Sequence, residues 1–246
     1  KTTVIINRIA NILKYGRAAD TDDIPEFANK DDLELLEMFA GKRTEEIPDE
    51  VKNLCTLDTV EPWRVIAITF TNKAADELKN RLEAILGGQS LDIWASTFHS
   101  ACVRILRRDI DRLEKYGRGF TIYDTSDCQS LIKRIVREMN LDEKIFHPRT
   151  VLTYISNAKD KMMTPVDFLN EVMNTRDIKK RQIGEIYKEY TKRMVEANAL
   201  DFDDLILLTV RLLSEHDDIR EYYCNKFKYV LVDEYQDTNH LQYNFV

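Results

Sequence analysis

No part of this chain is apolar over anything near the ~20 residues a membrane-spanning helix needs. Cysteine is scarce and dispersed: Cys55, Cys102, Cys128 and Cys224 include no Cys-x-x-Cys pair, and the four histidines do not cluster. That spacing argues against a zinc site and for reduced thiols in a cytoplasmic protein. No signal-peptide pattern is visible. A basic excess is missing too: the net charge is −7, an unpromising balance for a nucleic-acid binder. The imbalance is local, however. Residues 19–50 hold twelve acids against three bases, a net of −9 that leaves +2 for the remainder. Charge therefore neither supports nor excludes a nucleic-acid partner. What is present, 43% hydrophobic and 32% charged residues in a chain of 246, fits a soluble protein of one large domain or two small ones.

The acidic stretch, about residues 16–62, reads as an insertion with a helix near Asp31–Ala40. It is a solvated excursion, or else a protein-interaction patch or a nucleic-acid mimic. Around it the hydrophobic periods alternate. Val4, Ile5, Ile9, Ile12 and Leu13 follow a helix. Arg64–Thr69 is a continuous apolar run of the kind found in a doubly covered parallel strand. Asn72 is placed to cap a helix carrying Ala74, Leu78, Leu82 and Ile85, which Gly87-Gly88 stops. Leu91–Ala95 reads as the next strand, with Ser96 or Thr97 capping a helix through Leu106. From Gly117 to Asn198 the chain turns mostly helical, and Lys228–Val232 returns to the sheet. Strand–helix alternation of this kind predicts a parallel α/β sheet.

Two features at opposite ends of the sequence point to chemistry. Val230-Leu231-Val232 ends abruptly in Asp233-Glu234, an acid pair at the carboxyl end of a predicted buried strand, where open α/β sheets bind ligands. Lys1-Thr2 opens a helix, as the last two residues of a phosphate loop do, although the glycines of such a loop are not in this sequence. Two further strand ends, Thr69-Phe70-Thr71-Asn72 and Thr97-Phe98-His99-Ser100, combine hydroxyls, an aromatic ring and a helix start. Such a set suits a phosphate and base of a single strand, or else a core ring and a cap.

These segments, with Leu200-Asp201-Phe202-Asp203-Asp204-Leu205 and Tyr235-Gln236-Asp237-Thr238-Asn239, occur in an order that resembles the first half of a superfamily-one DNA helicase of the UvrD/Rep/PcrA type. The resemblance implies a RecA-like P-loop NTPase sheet with an inserted all-helical subdomain: residues 1–116 and 199–246 the motor domain, 117–198 the insertion. It implies ATP and Mg²⁺ as cofactors. Lys1, Thr2 and Thr3 would face the phosphates, with Thr2 and Asp233 on the metal. Glu234 would polarise the attacking water, and Gln236 would sense the γ-phosphate. Thr69, Phe70, Thr71, Asn72, Thr97, Phe98 and His99 would contact single-stranded DNA or a single/double-strand junction. The activity implied is ATP-driven 3′-to-5′ translocation and unwinding in repair or replication. The alternatives are the motor part of a helicase-nuclease and a non-catalytic nucleic-acid-binding piece. A second motor domain, which the resemblance requires, is not in this sequence, so the chain alone is expected to be inactive.

Three other groups have plainer readings. Asp201, Asp203 and Asp204 at a helix start are expected to cap it and meet its dipole rather than to hold a metal. Ile183, Ile186, Tyr187, Tyr190 and Met194 have the spacing of core. Arg104, Arg107, Arg108 and Arg112 are surface charges that could add positive potential.

Overall fold

The computed structural model describes residues 2–17, 29–39, 48–173 and 177–246. In chain order the elements are α1 (Thr2–Tyr15), α2 (Lys30–Phe39), α3 (Asp49–Leu54), β1 (Val65–Thr69), α4 (Asn72–Leu86), β2 (Trp94–Thr97), α5 (Phe98–Asp109), β3 (Thr121–Ile122), α6 (Thr125–Glu138), α7 (Pro148–Asp160), α8 (Pro165–Met173), α9 (Ile178–Glu196), β4 (Ala199–Leu200), α10 (Phe202–Glu215), α11 (Asp217–Lys226), β5 (Tyr229–Val232) and α12 (His240–Phe245). They divide into two compact units, one of Lys1–Thr97 with Cys224–Glu234, the other of Phe98–Tyr223 with Tyr235–Val246. Among the described residues no helix is long and apolar enough to cross a membrane.

The first unit is built on a parallel sheet ordered β2-β1-β5. The α/β class read from the sequence holds. Every residue of β1 is buried, as its unbroken Val-Ile-Ala-Ile-Thr run requires. Val65 and Ala67 of β1, Ala95 of β2 and Ile93 just before β2 share a core with Ile6, Ile9 and Ile12 of α1 and Leu78 and Leu82 of α4. Val4 was expected in that stripe and is exposed. Two steps of ~100° put it opposite Ile6, which takes the buried place. Helix α4 is capped by Thr71 rather than by Asn72: Thr71 has extended backbone, and its hydroxyl accepts from the Ala74 amide at 3.1 Å. Gly87, at φ 61°, ends the helix as expected, and a 3₁₀ turn through Asp92 follows. That turn uses up residues assigned from sequence to the strand, so β2 starts at Trp94 and keeps Ser96 and Thr97 within it.

The strand before the acid pair departs from expectation. Among the described residues it is bonded to β1 on one side, and Val230 is exposed.

The acidic stretch is tied at its base. Leu57 donates to the Tyr15 carbonyl at 3.0 Å and accepts from the Arg17 amide at 2.6 Å. Gly16 between them has φ +65°, and a Cβ there would sit 1.9 Å from the Leu57 oxygen, so no other residue fits this crossing. The expected helix is present as α2, with no buried residue. The acids at 20, 22, 23, 26, 45 and 46 lie outside the described residues.

The second unit is mostly helical. Its core joins Leu131, Ile132, Ile135 and Val136 of α6, Val151 and Ile155 of α7, and the α9 stripe Ile183, Ile186, Tyr187, Tyr190 and Met194, which is core as its spacing predicts. The two-residue strands β3 and β4 pair in parallel. Arg107 and Arg108 of α5 stack on Phe120 and Tyr222, while Arg112, in the turn after α5, pairs with Asp218. Cys102 and Cys128 are buried thiols, the first pushed up to about 12 by burial.

Candidate functional site

Within the first unit, the carboxyl end of the sheet collects the predicted residues. Thr69 ends β1 and Thr97 ends β2, and the two are register partners. Val232 pairs with Ile68, and the Asp233 amide donates to the Ile68 carbonyl at 2.9 Å, which sets Asp233 at the same edge. Parallel strands place all three chain ends on one rim, where α/β sheets take ligands.

Asp233 is buried and takes a partner on each oxygen. Thr2 donates its hydroxyl to Oδ2 at 2.9 Å, across 231 residues of sequence, and the Glu234 amide donates to Oδ1 at 3.1 Å. The helix start and the acid-tipped strand are therefore one locus. Glu234 has φ 52°, a left-handed conformation uncommon for a residue with a side chain. Such strain, of order 1–3 kcal/mol, concentrates at functional sites. Thr3 is not part of this contact: it is exposed, and its hydroxyl accepts from Arg81 at 3.4 Å. Lys1 lies outside the described residues.

The two Thr-Phe strand ends differ in detail. Thr69 is fully buried and donates its hydroxyl to the Thr71 carbonyl at 3.1 Å, which shapes the turn. Phe70 is 36% exposed, and Thr71 and Asn72 are exposed beside the start of α4. Thr97 is buried.

In the second unit Phe98 is 1% exposed, with its ring edge-on to Phe245 at 6.2 Å. A ring so placed has no face for a base; it is core. His99 is half-buried, and its ring meets Phe202 at 5.5 Å and 74°. Burial lowers the His99 pKa, and the Asp203 charge partly opposes this. Phe202 is 50% exposed, and sequence reasoning gave it no role of its own. Its signal was a lone aromatic between acids at a helix start. Beside it a cleft of about 360 Å³ is lined by Gln129, Arg149, Thr153, Ser156, Asn157 and Asp203, among others. Gln236 is exposed in a 3₁₀ turn, with Nε2 3.4 Å from Asp237.

The acids of α10 do cap it. Asp201 accepts from the Asp204 amide at 2.9 Å, and Asp204 accepts from the Asp201 amide at 3.2 Å. They also share a buried lysine that the sequence did not reveal. Lys159 lies 2.7 Å from each carboxylate. Burial alone would lower the lysine's pKa, but the two carboxylates outweigh it and hold it charged.

The description that matches residues 40–246 is the UvrD/REP helicase N-terminal domain. The ATP-dependent DNA helicase PcrA of Bacillus subtilis (strain 168) is 46% identical over 247 residues, covering 98% of this chain and 32% of that protein. An alignment so complete takes in the acidic stretch as well. PcrA of Staphylococcus aureus (strain NCTC 8325 / PS 47) is 44% identical over 213 residues, 86% of this chain and 29% of its own. This chain thus spans about a third of the length of the curated relatives it matches. By the extent of the match, the chain belongs to the UvrD/REP helicase N-terminal domain family.

Proposed function

We propose that this chain forms the nucleotide- and single-strand-binding part of an ATP-dependent DNA helicase, in which residues 117–198 are a helical subdomain inserted in a RecA-like motor. The observation that carries the reading is the Thr2 hydroxyl on the Asp233 carboxylate at 2.9 Å, at the rim that also holds the ends of β1 and β2. A hydroxyl and one carboxylate suit Mg²⁺ on a nucleotide, since that ion keeps much of its water and takes phosphate oxygens besides. Bound Mg-ATP would supply the phosphoryl group and its charge neutralisation. Lys1 would face the β- and γ-phosphates, and Thr2 and Asp233 would hold the metal directly or through water. Glu234 would accept the proton of the attacking water, with its backbone already fixed by the turn after Asp233. Gln236 would report the state of the γ-phosphate.

Within the first unit a single strand would be met by Phe70, Thr71 and Asn72 at the end of β1; within the second, His99 with Phe202 at the starts of α5 and α10 offers a contact of its own. Thr69, Thr97 and Phe98 serve by shaping those turns. An exposed ring offers a base about 1–3 kcal/mol of stacking. Free amides at a helix start suit a phosphate. Movement in the 3′-to-5′ direction and a place in repair or replication follow from the resemblance.

The test uses the longer protein, with a second motor domain. Glu234→Gln is expected to abolish DNA-stimulated ATP hydrolysis while leaving oligonucleotide binding intact. Hydrolysis at the unsubstituted rate would remove Glu234 from the role of base.

A further inference from the structure

The first turn of α10 inverts the usual partition of side chains. Asp201 and Asp204 are 5% and 7% exposed, while the apolar Phe202 between them is 50% exposed. Acids are ordinarily outside and phenylalanine inside. Lys159, itself 3% exposed, is what permits the inversion. Its ammonium donates to Asp201 Oδ2 at 2.7 Å and lies 2.7 Å from Asp204 Oδ1. Tyr190 donates its hydroxyl to Asp201 Oδ2 at 2.8 Å, and the two capping amides take the remaining oxygens. All four carboxylate oxygens are therefore satisfied, and α7, α9 and α10 meet at one ammonium.

A buried ion pair of this kind is a poor source of net stability against an apolar packing of the same volume. What it does supply is geometry. With residues 201 and 204 both fastened, the intervening Phe202 and Asp203 have no freedom to turn inward. Phe202 stands edge-on to His99, and Asp203 acts on the His99 charge.

We infer that Lys159 is a positioning residue for nucleic-acid binding: by fastening both ends of the first turn of α10, it holds Phe202 and Asp203 in the arrangement with His99 that meets a single strand. This rests on the reading of His99 and Phe202 given above. Lys159 itself touches no nucleic acid; it acts through α10.

The experiment compares wild type, Lys159→Met, Lys159→Arg, Asp204→Asn and His99→Ala as full chains, each checked for folding by circular dichroism. Two quantities are read: the NMR shift of the His99 Cε1 proton, which senses the Phe202 ring current, and the affinity for a fluorescein-labelled oligothymidylate. Lys159→Met is expected to move the His99 signal and weaken binding about tenfold, within the range of one base–aromatic stack. Lys159→Arg is expected to restore most of both. A folded Lys159→Met with both quantities unchanged overturns the inference. Should Lys159→Met not fold, Asp204→Asn decides in its place: a moved His99 signal with at least threefold weaker binding supports the positioning role, and no change in either overturns it. If His99→Ala leaves wild-type affinity intact, the reading of His99 as a single-strand contact fails; if His99→Ala weakens binding and folded Lys159→Met does not, only the positioning role fails.

Discussion

Thr69-Phe70-Thr71-Asn72 and Thr97-Phe98-His99-Ser100 look like one design used twice, yet they place their phenylalanines in opposite surroundings. Strand β1 ends at Thr69, and two residues, Phe70 and Thr71, intervene before α4 begins at Asn72. Thr71 spends its hydroxyl on the helix cap, and Phe70 is left 36% exposed. Strand β2 ends at Thr97 and α5 begins at the next residue, so Phe98 is the first residue of a helix and is 1% exposed. In the second motif His99 is half-buried, with Phe202 brought to it from α10. Sequence likeness between two strand ends thus does not convey which side chain reaches the surface. The length of the strand-to-helix connection decides that.

The comparison breaks most easily on stability. Phe98→Ala should cost ~3–5 kcal/mol in urea unfolding, the usual price of emptying a buried aromatic site. Phe70→Ala at a partly exposed site should cost ~1 kcal/mol or less. Equal losses would mean that the two rings are equally part of the core.

A smaller effect separates the motifs by pH. His99 has its pKa lowered from 6.5 by burial, so it is neutral at pH 7 and gains charge only below its ordinary range. A neutral imidazole adds no Coulombic attraction for a phosphate, and a protonated one does. Oligothymidylate affinity should therefore be level from pH 8 to pH 6.5 in the part owed to His99 and rise, by up to about tenfold, as the pH falls further. The rise should vanish in His99→Ala and persist in Phe70→Ala. A rise centred above pH 6.5, or one that survives His99→Ala, would assign it elsewhere.

Much of this architecture was legible because it is local. The run Val65–Thr69 could scarcely be anything but a covered strand, Gly87 had to end α4, and the Asp201–Asp204 spacing is a cap that sequence alone suggests. The pairing of Thr2 with Asp233 was legible in a different way: each was a helix start or strand end of a known kind, and a parallel sheet brings such ends to one rim. What was not legible depends on distant partners or on single-residue offsets. Lys159 reads as one more helix lysine, because nothing local distinguishes it from a surface charge; its carboxylate partner lies 42 residues away. The cap fell on Thr71 rather than Asn72 because both residue types cap well and only the end of β1 decides between them. Strand β2 was placed early because a 3₁₀ turn leaves no hydrophobic period of its own.

The proposed single-strand contacts are Phe70 at the end of β1 and His99 with Phe202 at the starts of α5 and α10, and not Phe98. The most direct measurement is an NMR titration of the phenylalanine-¹³C-labelled chain with unlabelled oligothymidylate. The ring signals of Phe70 and of Phe202 are each expected to shift with saturation while those of Phe98 stay in place. Shifts of Phe98 as large as those of Phe70, or a Phe70 signal that does not move at saturation, would contradict this assignment.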